Sequence, residues 1–470
     1  MRNRKHVNVL LVCLLCFAVL AGVALILASI VSASDFGREG SLFDLSDDTK
    51  TFFGAIAVFF LAVILMMIVY MYVRKALLKK KLFRLKEQGV AAVIANENNL
   101  RMQRAESKEG SLPRFYMLNE IDEAQTRKAM IYYDNEITLE QLCERFRAFA
   151  SSKLKLYYSI EDIRKFIAGM ACSHVLIMQG MSGTGKTSLA YAFGEFIKNS
   201  SAIVPIQPMW KERSDLLGYY NEFTKRFNET VLLQKMYEAN YSEQMYVVVL
   251  DEMNIARVEY YFAEFLSLLE IPAKEGRYID VVSDVWDNDP QLLKNGRLKL
   301  PSNIWFIGTA NNDDSTFAIS DKVYDRAMIM NLDKKAQAFE GEETDGVYLS
   351  AAHFERLCER AQKEYRLTGR NRRRLQMLDA YMIENFKITF GNRIMKQIEA
   401  YIPTYLACGG EELAALDDII AKKVLRKLET QNPIYVRNNV EALCGYLDEL
   451  FGYDSMILCK TYLSKFERSA

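Results

Sequence analysis

The chain has 470 residues, half of them apolar, and its 60 Lys and Arg balance its 60 Asp and Glu, giving zero formal net charge. This balance argues against nucleic acid coating the whole chain, so direct nucleic-acid binding is not indicated. Three histidines are too few for a histidine-based metal site, and scattered cysteines are typical of a reducing compartment.

Two uncharged apolar segments near the start predict transmembrane helices at 9–31 and 52–73, because about 20 apolar residues span a bilayer. A cleaved signal peptide is the alternative for the first segment, although its apolar core is longer than usual. Lys and Arg in the tail 1–8 and after the second span predict cytoplasmic ends joined by a short external loop, 32–51. These features predict a protein of the bacterial inner membrane, in contact with lipid.

The region 74–135 is charged and helix-prone, which predicts a tether or linker. Beyond it, the helical spacing of Leu139, Leu142 and Phe146 predicts a helix that packs on the next domain.

The run from Gly180 to Thr187 fits G-x-x-x-x-G-K-[ST] between an apolar strand pattern, 174–179, and a helical pattern, 188–198. This context predicts a phosphate-binding loop whose glycines expose backbone N–H groups. A lysine in the loop would reach the β- and γ-phosphates, and the following threonine would ligate Mg²⁺. The predicted nucleotide-binding residues are Gly180, Ser182, Gly183, Thr184, Gly185, Lys186, Thr187 and Ser188.

A second apolar run, 246–250, ends in Asp251-Glu252 and predicts a buried parallel strand. Carboxylates at such a strand end lie where open α/β sheets bind ligands. Asp251 would then hold Mg²⁺, and Glu252 would deprotonate the attacking water.

A third strand pattern, 304–310, ends in Asn311, whose amide could hold the lytic water. Arg326 follows and could reach a neighbouring subunit's nucleotide. Spacing alone favours a structural role for both residues. The segment 271–300, rich in Gly, Asp and Asn, predicts a hairpin insertion that contacts a substrate, and helical patterns predict an all-helical region over 336–470.

Together these motifs resemble the AAA+ superfamily over about 137–433, nearest to its dynein-related and McrB-like branch. The runs that carry the resemblance are the phosphate-binding loop, the stretch 250–261 (LDEMNIARVEYY), Gly308-Thr-Ala-Asn311 and Asp325-Arg-Ala327. The resemblance implies an α/β fold: a P-loop core of parallel sheet flanked by helices, 136–335, followed by an all-α lid, 336–470, and preceded by the two predicted membrane helices.

The resemblance also implies roles. Asn311 would be the first sensor, Arg326 the finger that acts on a neighbouring subunit, and Arg393 the second sensor, although one of the nearby Arg370, Arg372, Arg373 and Arg374 could compete for that role. The family forms homo-hexameric rings with a nucleotide at each interface. Such a ring would remodel or move a client, here an unidentified protein or co-encoded partner.

The nucleotide is the remaining choice. McrB uses GTP and has a threonine after the sensor asparagine, whereas this chain has Asn312, so ATP with Mg²⁺ is favoured and GTP is the alternative. The predicted function is a membrane-anchored ATP hydrolase. The alternatives are a GTP-driven motor that serves a separately encoded nuclease, and a nucleotide-gated membrane scaffold.

Overall fold

The structure is a computed structural model that describes residues 113–125, 131–272, 276–311 and 316–468. These residues lie within one compact unit, 111–470. Its centre is a five-stranded sheet in the order β2-β5-β8-β1-β9, and all four strand pairings are parallel. The strands are β1 (Val175–Gly180), β2 (Ala202–Pro205), β5 (Tyr246–Asp251), β8 (Ile304–Asn311) and β9 (Met328–Asn331).

Buried strands of β-branched and aromatic residues explain this sheet. β5 and β8 are buried except at their final residues, as expected of strands covered on both faces. Alternate residues of β1 enter different cores: Leu176 and Met178 join the cluster that continues into the C-terminal helices, whereas Val175 and Ile177 join the other. The predicted strands and their parallel arrangement are therefore confirmed.

Helices cover both faces of the sheet. The N-terminus of α2 is closed by a capping box in which Thr138 and Gln141 each bond the other's backbone N–H, and Ser159 caps α3. The helices of this part are α1 (Met117–Gln125), α2 (Leu139–Leu154), α3 (Ile160–Cys172), α4 (Lys186–Phe196), α5 (Arg213–Leu217), α6 (Val231–Ala239), α7 (Val258–Tyr261), α8 (Ala263–Glu270) and α9 (Asp321–Tyr324).

Two antiparallel hairpins interrupt the alternation of strand and helix: β3 (Tyr220–Asn221) with β4 (Arg226–Phe227), and β6 (Tyr278–Asp280) with β7 (Arg297–Lys299). The second hairpin is the insertion predicted within 271–300. Arg114 joins both regions: its guanidinium bonds Asp289, and its carbonyl accepts from the N–H of Phe227.

The C-terminal region is helical, as predicted. Its helix α12 packs along α3, and Pro403 lies within α12. Side chains at the N-caps Ser350, Thr368 and Asn432 accept backbone N–H groups. The helices are α10 (Ala351–Glu364), α11 (Gly369–Phe386), α12 (Gly391–Ala407), α13 (Glu412–Lys423), α14 (Pro433–Phe451) and α15 (Ile457–Arg468), with a 3₁₀ turn, Leu425–Thr430, after α13.

The predicted membrane localisation requires correction. Across the part of the chain that the structure describes, every helix is too short or too polar to cross a bilayer. The longest of them, α14, contains Arg437, Glu441 and Asp448 among its 19 residues. The two segments predicted to span, 9–31 and 52–73, lie outside the described residues, as do the tail 1–8, the loop 32–51 and most of the linker 74–135.

Candidate functional site

The phosphate-binding loop joins β1 directly to α4. Its glycines Gly180, Gly183 and Gly185 have φ values of 145°, 77° and 95°, a region that side chains disfavour. A Cβ at Gly180 would collide with the carbonyl of Leu332, whereas a Cβ at Gly183 would meet open space. Gly180 therefore permits close packing of the loop against Leu332, and Gly183 leaves space beside the loop for a ligand.

The helix α4 begins at Lys186, two residues earlier than the predicted helical pattern, because Gly185 forms its N-cap with positive φ. This start places the N-terminus of the helix, and the N–H groups that point from it, in the loop itself. The Lys186 side chain is buried, and its Nζ donates to the carbonyls of Gly180 (2.9 Å) and Met181 (2.7 Å). The ammonium therefore lies inside the loop, where phosphate oxygens would be bound.

Tyr158 closes the other side of the loop. Its hydroxyl donates to the Gly185 carbonyl at 3.1 Å, and burial raises the pKa of the phenol well above its usual range. The phenol therefore stays protonated and can keep this bond at any physiological pH. The contact fixes the glycine from which α4 starts.

Two side chains from different elements converge on Asp251 at the end of β5. The hydroxyls of Thr187 and Thr309 both donate to Asp251 Oδ1, at 2.7 and 2.8 Å. The Thr309 hydroxyl also accepts the backbone N–H of Glu252 at 2.9 Å. The predicted Mg²⁺ ligands Thr187 and Asp251 are thus in contact, and one threonine links them to the predicted base.

Glu252 has a left-handed backbone conformation, with φ 52° and ψ 46°. A non-glycine residue in this region is uncommon and often marks a functional position. The Asn311 amide donates to Glu252 Oε1 at 3.5 Å, a long bond. The buried Asn254 binds the backbone of Asn311 through both ends of its amide, at 2.8 and 3.3 Å, so the position of Asn311 is fixed relative to Glu252.

These residues fit a nucleotide with Mg²⁺. Mg²⁺ in nucleotide sites takes one or two protein oxygens and completes its shell with phosphate oxygens and water. The oxygens of Thr187 and Asp251, 2.7 Å apart, suit that arrangement. Among the described residues, no group of three His, Cys, Asp or Glu side chains could hold a metal by itself. The two oxygens of Thr187 and Asp251 suit an ion that arrives with its phosphates.

Two of the predicted site residues lie at the opposite edge of the sheet. β1 pairs with β9 so that Leu176 is opposite Met328, which places Arg326 level with His174 at the amino end of β1. Six residues of strand separate this level from Gly180, about 20 Å at 3.3 Å per residue. Arg326 therefore cannot serve its own phosphate-binding loop.

Arg393 lies beside Arg326, and one carboxylate binds both. Glu270 Oε2 is 3.1 Å from Arg326 Nε, and Glu270 Oε1 is 2.6 Å from Arg393 Nη2. The three side chains line a cavity of about 310 Å³ with Lys396 and other residues. The resemblance implied that Arg393 is the second sensor. The structure does not bring Arg393 to the loop of its own chain and groups it with Arg326, the predicted finger.

His174 also lines the cavity that contains Arg326 and Arg393. Its ring stacks on Trp305, with centroids 4.7 Å apart, and its Nδ1 bonds the Ile304 carbonyl at 2.9 Å. Burial lowers the pKa of His174 to about 4, so the ring is neutral at physiological pH. The neutral ring suits a structural role, as expected for a residue that precedes a strand.

Sequence reasoning missed Thr309, Asn254, Tyr158 and Glu270. Thr309 and Asn254 lie in the motifs that carried the resemblance, and this position could have indicated that they belong to the site. Glu270 ends an ordinary amphipathic helix, and nothing near it in the sequence indicates a pairing with arginines that lie 56 and 123 residues further along.

Comparison with known proteins agrees with this geometry. Residues 175–327 match the model of the AAA domain, dynein-related subfamily, a stretch that contains the loop, Asp251, Glu252, Asn311 and Arg326. Over residues 175–327 the chain is therefore similar to AAA domains of this subfamily. The closer resemblance to McrB and the six-subunit ring stay predictions. No protein with a curated description matches the chain.

Two of the solved structures that resemble this chain illustrate how distant the similarity is. A protein from Cytophaga hutchinsonii ATCC 33406, provisionally described as an ATPase and solved at 2.00 Å, is 12% identical with a TM-score of 0.40, over 70% of this chain and 95% of that one. A full-length MCM homolog from Methanopyrus kandleri is 12% identical with a TM-score of 0.32, over 62% of this chain and 56% of that one. The chain therefore spans just over half of the second protein.

Proposed function

We propose that the protein is a Mg²⁺-dependent ATP hydrolase that completes each active site between two of its own subunits and uses the turnover to remodel or move a client macromolecule. The observation that carries the proposal is the bonded set Thr187, Asp251, Thr309 and Glu252 beside the loop that buries Lys186. AAA domains are in general ATPases, which supports ATP as the substrate.

Each residue has a separate task in hydrolysis. The N–H groups at the start of α4 and the Lys186 ammonium bind the phosphates. Mg²⁺, when bound, neutralises charge that develops on the phosphate oxygens. Glu252 accepts the proton of the attacking water, and Asn311 orients that water, since the two side chains lie within 3.5 Å.

Further positive charge at the γ-phosphate comes from two arginines of the next subunit. Arg326 and Arg393 lie about 20 Å from their own loop at 3.3 Å per strand residue. In a closed ring of identical subunits, one edge of each sheet faces the opposite edge of its neighbour. Both arginines would then exchange Glu270 for the neighbour's γ-phosphate. Relatives with AAA domains typically form hexamers, and we propose the same ring here.

The two hairpins are the proposed contact with the client. They line a cavity of about 660 Å³ together with Arg114, Tyr219, Lys225 and Trp286. Phe223, in the turn between β3 and β4, is 99% exposed, so its ring is available for contact with a partner. Such a side chain suits an unfolded or extended segment of a partner.

The test compares Glu252→Gln with the matched variant Glu238→Gln, whose glutamate forms a half-buried pair with Lys235 on α6. We expect Glu252→Gln to bind a fluorescent ATP analogue normally and to lose hydrolysis by about 10²–10⁴-fold, the usual contribution of a general base. The control should hydrolyse at the normal rate. Full turnover by Glu252→Gln would refute the assignment, and competition by unlabelled ATP and GTP would identify the nucleotide.

A further inference from the structure

Lys423, on the lid helix α13, is buried against the turn that carries Arg326. Its Nζ donates to the carbonyls of Tyr324 at 2.6 Å and Ala327 at 2.7 Å, on either side of the arginine. The lysine is only 4% exposed, and burial lowers its pKa to about 7. A buried ammonium is costly unless its donors are bonded, so this lysine and the turn depend on each other.

The other two carbonyls of the turn are also bonded by side chains. Gln397 Nε2 donates to the Asp325 carbonyl at 3.3 Å, and Ser173 Oγ donates to the Arg326 carbonyl at 2.9 Å. All four carbonyls of 324–327 therefore accept a side-chain hydrogen bond. Two of the three donor residues belong to lid helices, so the lid holds most of the backbone from which the Arg326 side chain extends.

The short helix before the turn has links in two directions. On the lid side, Arg426 Nη2 bonds Asp321 Oδ1 at 2.6 Å, and its guanidinium lies 4.0 Å from the ring centre of Tyr324. On the sheet side, the Tyr324 hydroxyl is bonded by the amide of Gln179, the residue before Gly180. The turn is thus connected both to the lid and to the strand that ends in the nucleotide loop.

We infer that Lys423 is a positioning residue for Arg326. It fixes the turn so that the guanidinium points at the nucleotide of the neighbouring subunit, and it makes that presentation depend on the position of the lid. Because α12 of the same lid carries Arg393 and Gln397, a movement of the lid would shift both arginines together. This inference rests on the proposed action of Arg326 on a neighbour.

The test is a double-mutant cycle in the full-length protein with Lys423→Met, Arg326→Ala and the double variant. We expect Lys423→Met to lower kcat by between about 10- and 100-fold, since a small misplacement of a catalytic group has this effect. The affinity for ATP should change less than about twofold. In the Arg326→Ala background the second change should add nothing, because Lys423 acts through that arginine.

Lys427→Met is the matched control. It removes a lysine from the 3₁₀ turn that follows α13, and its side chain is less buried than that of Lys423. We expect normal kcat from this variant. Equal losses from both lysine variants, or a Lys423→Met effect that multiplies with that of Arg326→Ala, would overturn the inference, because either result means a general structural effect.

If Lys423→Met does not fold, as judged by its thermal unfolding, Gln397→Met tests the same turn by removing the donor to the Asp325 carbonyl. It should also lower kcat only when Arg326 is present. Suppose that Arg326→Ala is slow but the folded Lys423→Met variant, or Gln397→Met in its place, has a normal kcat. This result overturns the role of Lys423 and leaves the proposed function intact. A normal rate for Arg326→Ala overturns the proposed function as well.

Discussion

At the carboxyl edge of the sheet, Thr187 and Thr309 donate directly to Asp251 at 2.7 and 2.8 Å, whereas at the amino edge Arg326 and Arg393 are joined through Glu270. The first edge is an assembled set of ligands and a base that needs only its nucleotide. The second edge holds cations on a partly exposed carboxylate, an arrangement that a phosphate could replace. The difference supports the proposal that the two edges are halves of one site and belong to different subunits.

The first prediction concerns nucleotide binding at the carboxyl edge. Lys186→Ala deletes the ammonium that lies in the loop, and a lost charged hydrogen bond to phosphate weakens ATP binding by about 100-fold or more. Equilibrium binding of a fluorescent ATP analogue measures it, with the exposed Lys211→Ala as control. Normal binding by Lys186→Ala would mean that the loop is not the nucleotide site.

The amino edge should respond differently. Arg326→Ala removes the predicted finger and should lower kcat by about 10³-fold, while ATP binding is unchanged because a finger stabilises charge that develops in the transition state. Steady-state ATPase assays with binding data separate the two quantities. Arg297→Ala, which breaks the exposed pair with Asp280, should be normal. A binding defect in Arg326→Ala would contradict the separation of the two edges.

A smaller effect concerns the link between Asp251 and Glu252. Thr309→Val keeps the shape of the side chain but removes a hydroxyl with two bonds, so the Glu252 N–H loses its partner. We expect a free energy of unfolding lower by about 1–3 kcal/mol and a kcat about 10-fold lower. Urea unfolding and ATPase assays test this. The control is Thr316→Val, which removes a hydroxyl that donates to the Asn311 carbonyl. It shows whether the effect is specific to the Thr309 hydroxyl or follows the loss of any hydroxyl near the site.

The smallest effect is a dependence on pH at the amino edge. The native pKa of His174, about 4, is below its unfolded value near 6.5, so the unfolded state binds more protons in that interval. Its contribution to stability is present above pH 6.5 and is lost as the pH falls towards 4. We expect this loss in the free energy of unfolding to be roughly 1–2 kcal/mol. It is smaller than the full pKa shift would give, because His174 is not completely buried. Urea midpoints of His174→Asn should fall less steeply than those of the wild type.

The sequence predicted the carboxyl edge well because that edge is built from continuous motifs. Apolar runs located the three central strands, and parallel strands bring their carboxyl ends together. Hence the loop, Asp251, Glu252 and Asn311 could be placed side by side without a structure.

The amino edge depends on contacts between distant residues, which spacing does not reveal. Lys422 and Lys423 are neighbours of the same type, yet Lys422 pairs with the buried Asp418 whereas Lys423 holds the finger turn. Only packing distinguishes them. For the same reason, the sequence indicated Arg326 and Arg393 as separate candidates and not as partners of one glutamate.

The most direct measurement mixes two variants that are each defective in one edge. Glu252→Gln keeps Arg326 but cannot activate water, and Arg326→Ala keeps Glu252 but lacks the finger. We predict that each preparation alone hydrolyses ATP at a small fraction of the wild-type rate, and that the mixture recovers activity at interfaces where an intact Glu252 meets an intact Arg326. A mixture no more active than the sum of its components would contradict an active site shared between subunits.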